Sequence, residues 1–90
     1  MSKKVKVSLI LRQFTDGQEF VDVEGDNPVE CLRDFARRYP EAKQWLIDEK
    51  GEIRPQVWLF LNGEEIRNDK LTSPLDKDDE LFILLAIGGG

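Results

Sequence analysis

The tetrapeptide Asn27-Pro28-Val29-Glu30 does more than any other stretch to limit what this chain can fold into. Asn27 can cap free backbone N–H groups, Pro28 fits the first helical position, and Glu30 can reach back in a capping box. A helix starts here. Val29, Leu32, Phe35, Ala36 and Tyr39 then recur at helical spacing, with Arg33, Asp34, Arg37 and Arg38 on the other side, so one apolar stripe must pack against a sheet. Pro40 cannot continue the hydrogen-bond ladder and sets the stop.

On either side of this helix the period changes to two. Residues 4–11 alternate, with Val5, Val7, Leu9 and Leu11 on one face and Lys4, Lys6, Ser8 and Ile10 on the other, which predicts a half-buried strand. Asp16-Gly17 is a turn signal, and residues 18–23 read as the second strand of a hairpin with Val21 and Val23 inward. After the helix, Ala42, Trp45, Leu46 and Ile47 suggest a second short helix. Residues 56–61 are a continuous apolar run, Asn62-Gly63 is a strong hairpin turn, residues 64–66 form a short strand, and residues 80–87 form the last one. Leu71 and Leu75 are expected to plug the bottom of the core. The pattern predicts an α+β chain: a mixed sheet of four to five strands with one main helix on one face.

Composition narrows the class. A chain of 90 residues makes one modest core, and 18 acidic against 13 basic residues argue against nucleic acid or an anionic membrane as partner. A lone cysteine, Cys31, excludes an internal disulfide and a cysteine-held zinc site, and there is no histidine. No apolar run approaches the roughly 18 residues of a membrane span. A cytoplasmic protein is expected.

The two faces of the sheet are unequal. Val5, Val7, Leu9, Val21, Val23, Val57, Leu59, Leu61, Leu81, Ile83 and Leu85 fill the covered face together with the helix stripe. The opposite phase holds Ile10, Trp58, Phe60, Phe82 and Leu84, more large apolar side chains than an open face requires. They form either a partner surface or the floor beneath residues 41–55 or the first hairpin loop, and a partner surface is the stronger expectation.

The chain finishes Ile87-Gly88-Gly89-Gly90 directly after an apolar strand, and glycine lets a backbone thread a narrow channel. With the residue 5–11 strand, the helix from Pro28, the segment Val57-Trp58-Leu59-Phe60-Leu61-Asn62-Gly63-Glu64 and the acidic turn Asp78-Asp79-Glu80-Leu81, it resembles the ubiquitin-like sulfur carriers, the MoaD and ThiS family. The resemblance implies a β-grasp domain over residues 1–87 and a flexible glycine tail over 88–90. It implies that the Gly90 carboxylate is adenylated by an ATP-using partner enzyme and converted to a thiocarboxylate that donates sulfur in cofactor or metabolite biosynthesis. Gly89 would pass through the partner's channel, and Gly88 would be an extra small residue that displaces the tail by about 3.3 Å. No cofactor would be bound stably, ATP being used by the partner.

On the same model Ile10, Trp58, Phe60, Phe82 and Leu84 dock on the activating enzyme, with Arg54, Arg67 and Lys70 as rim candidates. Further implied partners are a sulfur donor protein and an acceptor synthase, of which the large subunit of molybdopterin synthase is one candidate. The extra length of residues 41–55, with the first strand and helix, favours the MoaD side over the thiamine-type carriers. Two other roles stay open: a ubiquitin-like modifier conjugated through Gly90 to a target lysine, and a binding module that does not need its tail.

The remaining candidates carry no chemistry of their own. Cys31 lies near the helix start but without a histidine, and reads as a structural cysteine. Asp78 and Asp79 are adjacent and point apart, so they do not make an acid/base pair, and together with Glu80 they read as a charged turn or a contact for basic partner residues. Asp16-Gly17 and Asn62-Gly63 lack the strand, glycine-rich loop and long helix of a phosphate site. The sequence points to a carrier rather than an enzyme.

Overall fold

The alternation of valine with lysine in the first strand, β1 (Ser2–Val7), puts Lys3, Val5 and Val7 on the covered face and Lys4 and Lys6 on the other. The computed structural model describes residues 2–86 of the chain. β2 (Phe20–Glu24) pairs antiparallel with β1, α1 (Pro28–Arg38) and α2 (Pro40–Leu46) follow, and β3 (Val57–Leu61) turns into β4 (Glu64–Ile66) before β5 (Leu81–Leu85). The sheet order is β2-β1-β5-β3-β4, with β5 parallel to β1 and antiparallel to β3. This is the expected α+β, β-grasp arrangement.

The α1 cap forms where the sequence puts it. Asn27 Oδ1 accepts the Glu30 N–H at 2.8 Å, while Glu30 Oε1 reaches one residue further back than a simple capping box and accepts the Asp26 N–H, also at 2.8 Å. Cys31, Leu32, Phe35 and Ala36 are buried against the sheet, and the Tyr39 ring lies 4.9 Å from that of Phe35. Pro40 stops α1 and also starts α2, as the first residue of the new helix. Ala42, Leu46 and Ile47 join the same core, so the residue 41–55 segment thickens the helical side instead of folding over the open face.

The first strand is shorter than its alternation suggests. After Val7 the Ser8 N–H still donates to the Ile83 carbonyl at 2.9 Å, but the Ser8 hydroxyl then accepts the Leu85 N–H at 3.2 Å and the chain tightens into a 3-10 turn, Leu9–Phe14. In a three-residue period Ser8 and Leu11 share the inner side, so Leu11 is fully buried and Leu9, expected in the core, stands 77% exposed. Leu9, Ile10 and Leu11 are apolar at every position, so their pattern cannot distinguish a period of two from one of three.

Two glycines are required by their surroundings. Gly63 (φ +88°) follows Asn62 (φ +52°) in the β3–β4 hairpin, the left-handed pair that a two-residue turn needs. At Gly25 a Cβ would lie 2.7 Å from the Cys31 backbone nitrogen and 3.0 Å from its Sγ, so the chain entering α1 has no room for a side chain. Leu71, in a second 3-10 turn (Asn68–Thr72), and Leu75 pack on the core margin as expected.

Candidate functional site

The strand registers carry a single row of side chains across the open face. Lys6 pairs with Phe20 on one side and Phe82 on the other, Phe82 pairs with Phe60, and Phe60 pairs with Glu65, so the row reads Phe20, Lys6, Phe82, Phe60, Glu65 from edge to edge. Trp58 and Leu84 pair in the adjacent row. The rings form a chain, with Trp58 and Phe60 centroids 6.5 Å apart and Phe60 and Phe82 5.9 Å apart, both tilted. The Lys6 ammonium stands 5.5 Å from the Phe82 centroid, where the ring's negative face attracts a cation. Trp58 is 41% exposed, and Phe60, Phe82 and Leu84 are half-buried.

Of the five residues expected on this face, the structure brings four together. Ile10 is the exception: it belongs to the 3-10 turn after β1, packs partly on the core, and does not continue the strand face. Phe20 and Lys6 take part although sequence reasoning did not select them. Their signal was present, because both lie in the outward phase of paired strands, but a lysine and an edge phenylalanine look like ordinary surface.

The rim is partly committed. Arg54 Nε donates to the Gln44 carbonyl at 2.6 Å, and Arg67 is paired with Glu65 at 2.9 Å. Together with Trp58 these arginines line a groove of about 400 Å³ at the β3–β4 edge, while Lys70 is simply exposed. Asp79 is a clamp for the β3–β4 turn: it accepts from Asn62 Nδ2 at 3.0 Å and from the Asp76 N–H at 2.8 Å, and Asn62 Oδ1 in turn accepts the Glu80 N–H at 2.9 Å. The Asn62 bond, aided by the Asp76 N–H, holds the Asp79 carboxyl below its usual range. Asp78 and Glu80 are exposed.

Cys31 is fully buried, and its burial is the main cause that pushes the thiol up to about 11. Gly88, Gly89 and Gly90, the expected tail and reacting end, lie outside the described residues. Among the described residues no helix is long and apolar enough to cross a membrane.

A five-stranded β-grasp sheet with helices on one side and an aromatic row on the other defines a ubiquitin-like protein. No protein-family model matches the chain. The chain is 29% identical over 93 residues to the sulfur carrier protein CysO of Mycobacterium tuberculosis, covering all of both chains. Among solved structures, small archaeal modifier protein 1 of Methanosarcina acetivorans matches with a TM-score of 0.81 and 28% identity, over 99% of this chain and 96% of that one. The BexX/CysO complex of Amycolatopsis orientalis matches with a TM-score of 0.77 and 28% identity, over 97% of this chain and 98% of that one. Sequence and fold together support homology of the chain to the ubiquitin-like sulfur carriers of the CysO type, and its fold is shared with the archaeal modifiers. Its role is non-enzymatic, as for those carriers and modifiers.

Proposed function

We propose that the chain is a carboxyl-end carrier, in which the Gly90 carboxylate is adenylated by an ATP-using partner enzyme and residues 88–90 are the tail presented to it. The observation that carries this reading is the chain of rings Phe82, Phe60 and Trp58 on the open face of a sheet whose central strand, β5, runs towards the glycines in sequence. A carboxylate is a poor electrophile, whereas its mixed anhydride with AMP has a good leaving group, so a carrier needs a docking face and a threadable end but no catalytic side chain. The activating enzyme contacts Trp58, Phe60, Phe82 and Leu84, with Phe20 and Lys6 extending the contact. Arg54 and Arg67 stand at its rim.

Two fates of the activated end draw support. Similarity to CysO favours sulfur carriage, in which sulfur from a donor protein displaces AMP from the acyl-adenylate to give a thiocarboxylate on Gly90, and an acceptor synthase takes that sulfur. Similarity to an archaeal modifier protein favours attack by a target lysine and an isopeptide bond. The two roles can coexist because both pass through the same acyl-adenylate. The modifier reading has better support than delivery to molybdopterin in particular, since a modifier protein is similar in both fold and sequence. The setting is cytoplasmic, where ATP is supplied.

Incubation with the cognate activating enzyme, ATP and a sulfur donor, followed by intact-mass spectrometry, tests the proposal. The expected product has gained the mass difference between sulfur and oxygen, and the chain lacking Gly90 gains nothing. A conjugate ladder in cell extract that disappears with Gly90 identifies the modifier fate. Full activity of a chain lacking all three glycines would leave only a tail-independent binding module.

A further inference from the structure

The helical side of the molecule holds a second surface that the tail chemistry does not use. Between α1 and α2 lies a cleft of about 270 Å³ lined by Arg33, Arg37 and Lys43 around Ala36, Ile47 and Gly51. No aspartate or glutamate lines it, in a chain with 18 acidic and 13 basic residues. The cleft therefore runs against the charge of the protein that contains it.

We propose that this cleft is a docking site for an acidic segment of a partner protein, whose carboxylates meet Arg33, Arg37 and Lys43 and whose apolar side chain rests on the aliphatic stems of those three residues, above the buried Ala36 and Ile47. Arg33 Nη2 donates to the Gly51 carbonyl at 3.4 Å, and Arg37 is held by Asp34 through Nε at 3.0 Å and Nη2 at 2.6 Å. Both guanidinium groups are thus partly ordered before a ligand arrives, which lowers the entropy lost on binding. The Lys43 ammonium has no partner among the described residues. A single phosphate is best held by converging guanidinium forks. Here one edge of the Arg37 fork is taken by Asp34 and Arg33 is turned to a carbonyl, leaving separated cations that suit carboxylates spaced along a peptide. The cleft also lies across the sheet from the aromatic row, so it can be filled while that row is engaged.

The probe is a fluorescein-labelled Glu-Glu-Leu-Glu-Glu peptide titrated into the full chain at low salt and followed by anisotropy, with amide NMR to locate it. Expected are saturable binding that weakens as salt is raised, amide shifts at Ala36, Lys43, Ile47 and Gly51, and about a tenfold loss in Lys43→Glu and in Arg33→Gln. Lys43 is exposed and unpartnered, so its variant keeps the fold even if Arg33→Gln loosens the turn at Gly51. Absence of saturable binding, equal binding by Lys43→Glu, shifts confined to the aromatic row, or displacement by inorganic phosphate at the peptide's own concentration would each overturn the proposal.

Discussion

Asp34 holds four donor atoms from three residues. Its carboxylate accepts the Glu24 N–H on the outer edge of β2 at 2.7 Å, Arg38 Nε at 2.5 Å, and Arg37 Nε at 3.0 Å and Nη2 at 2.6 Å. Burial raises its pKa, but the Glu24 N–H, Arg38 and Arg37 together outweigh that and bring it from 3.8 to about 2. A folded value below the unfolded one means that this stabilisation is complete above roughly pH 4 and is lost as pH falls towards 2. Asp34→Ala should therefore lower the urea midpoint at pH 7, by about 1–2 kcal/mol in stability, with the gap to wild type closing by about pH 2. Cys31 gives the opposite sign: a thiol raised to about 11 stays protonated at neutral pH. A thiol reagent such as DTNB at pH 8 should leave the native protein almost untouched and react rapidly once denaturant is added.

At the level of elements, the end of β1 is the most consequential feature. Ser8 is 7% exposed, and its hydroxyl replaces a ladder partner for the Leu85 N–H where β1 turns away from β5. Ser8→Ala would leave that N–H unpaired and cost about 1–3 kcal/mol, lowering the melting temperature by about 4–8 °C per kcal/mol. Hydrogen exchange should accelerate most at Leu85. This device was invisible in the sequence because Ser8 fits the alternation as an ordinary outward residue, and the turn that follows is apolar throughout. The α1 boundaries, by contrast, were legible: Asn27, Pro28 and Pro40 act through local backbone chemistry that tertiary packing does not alter. The aromatic row was legible through strand phase, since Trp58, Phe60, Phe82 and Leu84 lie in uninterrupted strands, and Ile10 failed only because its strand had already ended. Neither Lys6 over Phe82 nor the Asp79 clamp on Asn62 could be read without the register that joins distant segments.

For the molecule as a whole, the sheet separates two surfaces of different chemistry. One is aromatic, with the Phe60 ring between those of Trp58 and Phe82. The other is helical and carries the basic cleft. Phe60→Ala removes the ring that touches both Trp58 and Phe82 from a half-buried position, so its effect on affinity should exceed its effect on stability. Calorimetric titration against the activating enzyme should show about a tenfold or greater loss, with Lys43→Glu unchanged in the same experiment. Equal losses in both variants would mean that the two surfaces are not independent.

The placement of β5 between β1 and β3 also bears on synthesis. As the nascent polypeptide leaves the ribosome, Val5 and Val7 emerge early, yet the strand that must lie beside them, carrying Leu81 and Ile83, is made after every other strand described here. Until it clears the exit tunnel, the earlier hairpin and helices hold their apolar surfaces without a finished sheet to cover them, an interval in which chaperones or aggregation compete with folding.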